Sequence, residues 1–181
     1  MTMWHKLLRS NRKLTVLSLL LVGIVMGVVG TVSFDATMEW SNTDSFCLGC
    51  HNHEIPYQQI QATVHYRNAH GVVASCSSCH VPHESLPKLL RKVEATKELL
   101  SHIQGVIDSD EKYLAHVDEM KRREVARFKA NDSGPCRHCH KVERMDLAWQ
   151  SSQARKEHQE LSEGKTCIDC HQGIAHTPLK E

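Results

Sequence analysis

The chain has 181 residues, room for one domain and an appendage. A formal net charge of +1 supplies no strongly basic surface, so no nucleic-acid partner is expected. Aromatic residues make up only 5% of the chain, against 14 histidines and 8 cysteines. A domain so short of large apolar side chains has difficulty building a core from polypeptide alone.

The first element is an uncharged run of 21 residues from Leu14 to Phe34, LTVLSLLLVGIVMGVVGTVSF. As a helix it is about 31 Å long, enough to cross the hydrocarbon core of a bilayer. Lys6, Arg9, Arg12 and Lys13 precede it, and no acid occurs before Asp35. This asymmetry places residues 1–13 in the cytoplasm, a single transmembrane anchor at 14–34, and residues 35–181 outside. A cleaved signal peptide is the competing reading. Against it, the apolar run exceeds the usual length and no A-x-A-like site follows. Gly23, Gly27 and Gly30 recur at helical spacing, which reads either as a face pairing two anchors into a homodimer or as the ordinary glycine content of membrane helices. The residues after Phe34 carry all 21 acidic and 18 of the 22 basic residues, a soluble surface rather than a second membrane element.

All eight cysteines fall into four units of one form: Cys47-Leu-Gly-Cys50-His51, Cys76-Ser-Ser-Cys79-His80, Cys136-Arg-His-Cys139-His140 and Cys167-Ile-Asp-Cys170-His171. C-x-x-C alone also fits zinc, a redox dithiol or an iron–sulfur site. A histidine directly after the second cysteine is the attachment signature of haem c. Two thiols three positions apart can add to the two vinyl groups on one edge of the macrocycle, and the next residue then sets its imidazole on the iron. Four covalently bound haem c groups are therefore expected, with His51, His80, His140 and His171 as proximal iron ligands. Their large apolar rings would fill the interior that aromatic side chains do not. Haem c is attached outside the cytoplasm in bacteria, which agrees with an inner-membrane anchor and a periplasmic domain.

Cys47 and Cys76 are 29 positions apart, and Cys136 and Cys167 are 31 apart. Other histidines follow the same plan. His65 precedes Cys76 by 11 and His158 precedes Cys167 by 9; His83 follows His80 by three and His176 follows His171 by five. Each half reads haem, histidine, haem, histidine, as in a tandem duplication of a di-haem module, at about 42–84 and 131–177. His65, His83, His158 and His176 are the candidate distal ligands, and His53 is a rival at the first haem. The spacer at 85–130 reads as two helices. Leu86, Leu89, Leu90, Val93, Leu100 and Ile103 line the first, which stops at Gly105. Leu114, Val117, Met120, Val125 and Phe128 line the second, which starts near Asp108–Ser109 and ends at the turn cluster Asn131–Pro135. A third helix is expected around Met145–Leu161, and no strand pattern is present. The fold class is mainly α: one anchor helix plus a small helical multihaem domain.

The arrangement resembles the NapC/NirT/NrfH family of membrane-anchored tetrahaem quinol dehydrogenases, most closely its NapC branch, over nearly the whole chain. The resemblance is carried by the anchor, Asn42–His51, Val64-His65-Tyr66, Cys79–His83, Lys92–Leu100, Gly105–Asp108, Asn131–Ser133 and Cys167–His176. It implies distal-ligand roles for His65, His83, His158 and His176. It also implies a quinol pocket beside the first haem, with Lys92 and Glu98 as its polar groups. Many members carry methionine two residues after the first motif, where this chain has His53. The implied function is electron transfer with quinol dehydrogenase activity: menaquinol or ubiquinol is oxidised in the membrane, and electrons go to a periplasmic reductase, nitrate reductase first. The alternatives are a passive relay without a quinol site, or a donor to a nitrite, trimethylamine oxide or dimethyl sulfoxide reductase. For Lys92 and Glu98 the competing reading is a solvated helix face.

Overall fold

A computed structural model describes residues 3–49 and 53–177. The chain divides into two compact units, Met1–Ser41 and Asn42–Glu181.

The first unit is one helix, α1, Met3–Trp40. From Asn11 to Trp40 it is long and apolar enough to span a membrane, with mean hydropathy 2.4 and none of the apolar window buried. Its hydroxyls would be costly in lipid if left unpaired, and they bond to carbonyls one turn back. Thr15 Oγ1 donates to the Asn11 carbonyl at 2.8 Å and Thr31 Oγ1 to that of Gly27 at 2.9 Å. The helix does not stop at Phe34. Asp35–Trp40 contains no glycine or proline, and the helical ladder closes with Ser41 N–H on the Thr37 carbonyl at 3.0 Å.

The second unit contains only helices and turns among its described residues. They are α2 Asp44–Cys47, α3 Glu54–Gln61, α4 Cys76–His80, α5 Ser85–Ile103, α6 Asp110–Ala130, α7 Gly134–Cys139, α8 Ser152–Gln159 and α9 Cys167–Cys170. The two spacer helices fall where periodicity puts them. Gly105 closes α5 at φ 72°, a left-handed value that favours glycine, and a Cβ there would lie 3.0 Å from Asp108 Oδ2. Ser109 caps α6 by accepting from Lys112 N–H at 3.3 Å.

The continuous third helix expected around Met145–Leu161 is instead a 3₁₀ turn at Leu147–Trp149 followed by α8. Two short polar side chains break it. Asp146 accepts from Ala148 N–H at 2.9 Å, and Ser151 accepts from Ala154 N–H at 3.1 Å and starts a new helix. Such local bonds compete with the helical ladder.

Among the described residues only Ile60, Ser133 and Thr166 are buried, so the single buried apolar side chain of this unit is Ile60. Along α5, Leu86, Leu90, Val93, Leu100 and Ile103 are all exposed. An amphipathic face normally gains stability by packing on a partner. Among the described residues no side chains cover this face, which leaves it open to something other than side chains.

Polar ties between motifs hold the unit instead. The Cys76 amide donates to Asp44 Oδ1 at 2.8 Å, joining α4 to α2. The Ile168 amide donates to Ser133 Oγ at 3.2 Å, and Lys129 Nζ pairs with Asp169 Oδ1 at 2.7 Å, joining α9 to the end of α6. Ser133 is fully buried at φ 50°, directly after Asp132 at φ 52°. Two successive non-glycine residues in the left-handed region cost about 1–2 kcal/mol each. The tie to α9 and the bond from Ser133 N–H to the Phe128 carbonyl, 2.7 Å, hold them there.

Candidate haem sites

Three of the four cysteine motifs lie wholly within the described residues, and each is one turn of helix: α4, α7 and α9. Residues i and i+3 share a helix face, so both thiols of a motif point the same way. The amide of the histidine that follows still bonds four residues back in two of them, His140 to Cys136 at 2.8 Å and His171 to Cys167 at 2.9 Å. Ser75 with Ser78 caps α4, Thr166 with Asp169 caps α9, and Pro135 occupies the first turn of α7. In the first motif Cys47 ends α2, while Cys50 and His51 lie outside the described residues.

The histidines then pair across space. His80 faces His176 with ring centroids 6.1 Å apart, His140 faces His65 at 6.3 Å, and His171 faces His158 at 6.1 Å. A metal–imidazole bond of about 2.0 Å, plus roughly 1.1 Å from nitrogen to ring centre, separates two imidazoles on opposite sides of one iron by about 6.2 Å. All three pairs match that separation, and each joins the histidine of a motif to a predicted distal histidine. The residues present therefore fit haem c: thiols in one turn, an imidazole after them, a second imidazole at iron-spanning distance, and no polypeptide core. Among the described residues no cluster of three or more His, Cys, Asp or Glu is arranged to hold a metal without a porphyrin.

The pairing does not repeat between the halves. His158 faces a histidine of its own half, whereas His65 and His176 each face one from the other half. His83 is stacked on His138, with centroids 3.5 Å apart and planes 9° from parallel, too close to admit a metal between them. His53 Nδ1 lies 2.6 Å from the Cys47 carbonyl, which it reaches by donating, and this leaves Nε2 as its free base.

Outer partners orient these rings. His158 Nδ1 lies 2.6 Å from Gln150 Oε1, His65 Nδ1 lies 3.4 Å from the Ile174 carbonyl, and His80 Nδ1 lies 3.5 Å from Glu124 Oε2. Metal-bound imidazoles characteristically donate their second N–H in this way. Burial, together with the neighbouring His80, pulls His176 down to about 4, so its ring is neutral at pH 7, the form that can bind iron. Burial works against ionisation of Glu124. The His80 ring and the Arg127 and Arg91 charges outweigh it and hold the carboxyl down at about 2. Glu124 carried no signal in the sequence, where it is one acid on a charged helix.

Lys92 and Glu98 are six residues apart on α5, about 120° apart around it. Glu98 pairs with Arg91 at 3.2 Å and with Arg123 of α6 at 3.6 Å. The Cys47 thiol is lowered to about 7, chiefly by a hydrogen bond from Cys76 and in smaller part by the Lys92 charge. The Lys92 charge thus reaches Cys47, while Glu98 joins α5 to α6.

Comparison with known proteins agrees with this geometry. The pattern of the NapC/NirT cytochrome c family, N-terminal region, matches residues 9–181. The cytochrome c-type protein NapC of Escherichia coli K12 is 47% identical over 170 residues, 93% of this chain and 85% of that protein. The denitrification system component NirT of Stutzerimonas stutzeri is 44% identical, with the same coverage of 93% and 85%. The cytochrome c-type protein TorY of Escherichia coli O157:H7 is 38% identical over 94% of this chain but only 47% of its own length. No solved structure matches the chain. The chain belongs to the NapC/NirT cytochrome c family and is a membrane-anchored c-type cytochrome that transfers electrons.

Proposed function

We propose that this chain oxidises quinol in the bacterial inner membrane and passes the electrons through four haem c groups to a periplasmic reductase, periplasmic nitrate reductase first among them. The observation that carries the wiring is the trio of histidine pairs at 6.1–6.3 Å. Cys76, Cys79 and His80 hold the second haem with His176 opposite. Cys136, Cys139 and His140 hold the third with His65, and Cys167, Cys170 and His171 hold the fourth with His158. Cys47, Cys50 and His51 hold the first, whose distal ligand is His83 or His53. When bound, haem c iron takes up and releases one electron at a time, and imidazole on both faces keeps its potential below that of a His/Met pair. A low potential suits a donor to a chain of acceptors.

Quinol gives up two protons with its two electrons, and a polar group near the first motif can receive them. Lys92, an ammonium whose charge reaches Cys47, can donate a hydrogen bond to the quinol oxygen, and the Glu98 carboxylate can receive the proton that leaves. Glu98 belongs to this site through Arg91, the neighbour of Lys92, with which it pairs. The exposed Leu86, Leu90 and Val93 of the same helix offer apolar surface for the quinone ring. Lys6, Arg9, Arg12 and Lys13 ahead of α1 support an N-terminus in the cytoplasm and a haem domain in the periplasm. The face of α1 at Gly23, Gly27 and Gly30 is open, with nothing within 4 Å of a Cβ at any of them, and would let two anchors pair. Similarity to NapC supports nitrate reductase as the acceptor.

Reconstitution in liposomes with menaquinol or ubiquinol tests the reading. Reduction by a quinol, followed by reoxidation on adding nitrate reductase together with nitrate, is expected. A protein that exchanges electrons with the reductase but is not reduced by either quinol is a relay, and the quinol site is then lost.

A further inference from the structure

We infer that Glu124 is a positioning residue that sets the reduction potential of one haem, acting through the imidazole of His80. The inference rests on His80 being an iron ligand, as proposed above. Glu124 lies midway along α6 with its side chain 21% exposed, and its Oε2 lies 3.5 Å from His80 Nδ1. That oxygen is buried and is turned to the His80 ring nitrogen. Its other oxygen, Oε1, accepts from Arg127 Nη1, and the Arg127 guanidinium also pairs with Glu94 at 3.1 Å. Phe128, one turn on from Glu124, meets the His80 ring at 6.2 Å with the planes 73° apart. The carboxylate is thus anchored by one oxygen and presents the other to the ring nitrogen that does not face iron.

A full negative charge on that N–H draws its proton and makes the imidazole a stronger electron donor to iron. Stronger donation stabilises ferric over ferrous iron and lowers the potential, one of the levers by which a protein tunes haem. His65 and His158 face uncharged oxygens, a carbonyl and an amide. Among the ligand histidines with a described Nδ1 partner, only His80 faces a carboxylate. One member of the chain is therefore pushed to lower potential by a charge, not by a different ligand.

The test is redox potentiometry of the purified full-length holoprotein, followed by absorbance and by electron paramagnetic resonance. Glu124→Gln removes the charge and keeps the shape. It is expected to favour reduction of one haem by about tenfold, about 59 mV for one electron, with the haem count and the other potentials unchanged. Glu124→Asp keeps the charge and should leave that potential closer to the parent's. Should Glu124→Gln not assemble with haem, Arg127→Gln supplies the test. It strips the carboxylate of its countercharge and should lower the same potential, a sign that general damage to packing would not give. A fully loaded Glu124→Gln with all potentials unmoved overturns the inference while the ligand assignments stand, and so does an unmoved or raised potential in Arg127→Gln. Fewer than four haems in the unaltered protein would instead overturn the wiring itself.

Discussion

The imidazole planes of His65 and His140 cross at 81°, whereas those of His80 with His176 and of His158 with His171 lie within 28° and 31° of parallel. Relative ring orientation governs the anisotropy of low-spin ferric iron, because crossed planes leave two of its d orbitals nearly equal in energy. The oxidised protein should therefore show one strongly anisotropic low-spin resonance from the third haem beside more rhombic signals from the second and fourth. Rhombic signals alone, in low-temperature electron paramagnetic resonance, would remove the His65–His140 pairing.

Replacing a distal histidine exposes one iron. His65→Ala, His158→Ala and His176→Ala should each convert one low-spin haem to high spin and leave the others as they were, read by absorbance and by paramagnetic resonance. The crossed-plane signal should vanish only in His65→Ala. Its loss in His158→Ala instead would redraw the wiring.

Acid should release His176. Its ring is held near 4 in the fold against 6.5 free, so the unfolded or detached form binds the extra proton. That gives stability which is complete above about 6.5 and is lost as pH falls toward about 4. Titrating the ferric protein down through this window should bring up a high-spin second haem. Low-spin spectra unchanged to pH 4 would contradict it.

Ser133→Ala should weaken the join between α6 and α9. It leaves the Ile168 amide without its acceptor at a buried site, at a cost of about 1–3 kcal/mol. Thermal unfolding followed by the Soret band of the holoprotein measures it, and an unchanged midpoint removes Ser133 as a tie.

Lys92→Gln should slow quinol oxidation several-fold while electron exchange with the reductase is kept. Glu98→Gln breaks partly exposed pairs with Arg91 and Arg123 and should cost up to about 1 kcal/mol of stability. Equal quinol kinetics in both variants and the parent would take Lys92 and Glu98 out of the site.

What the sequence made legible was local. One-turn spacing makes each C-x-x-C-H a short helix, and 3.6-residue periodicity with Ser109 and Gly105 bounds the two spacer helices. The break at Asp146 and Ser151 was missed because side-chain-to-backbone bonds of one or two residues override an otherwise helical run. The partner of each distal histidine was not readable either, since it depends on how the halves meet. A repeat of spacings suggested equivalent roles for His65 and His158, yet they face histidines differently placed with respect to their own halves. Glu124 stayed hidden for the same reason, being an ordinary exposed-helix residue type until α4 is laid against it.

The crossing of His65 and His176 between the halves has a consequence for how such a protein can arise and be dissected. A duplicated module is ordinarily separable, each copy able to stand alone. On the proposed wiring each copy lends an imidazole to the other's iron, and neither is self-sufficient. Either half expressed by itself would keep its thioether linkages yet leave an iron lacking its sixth ligand, so the pair can now be inherited, matured and lost only together.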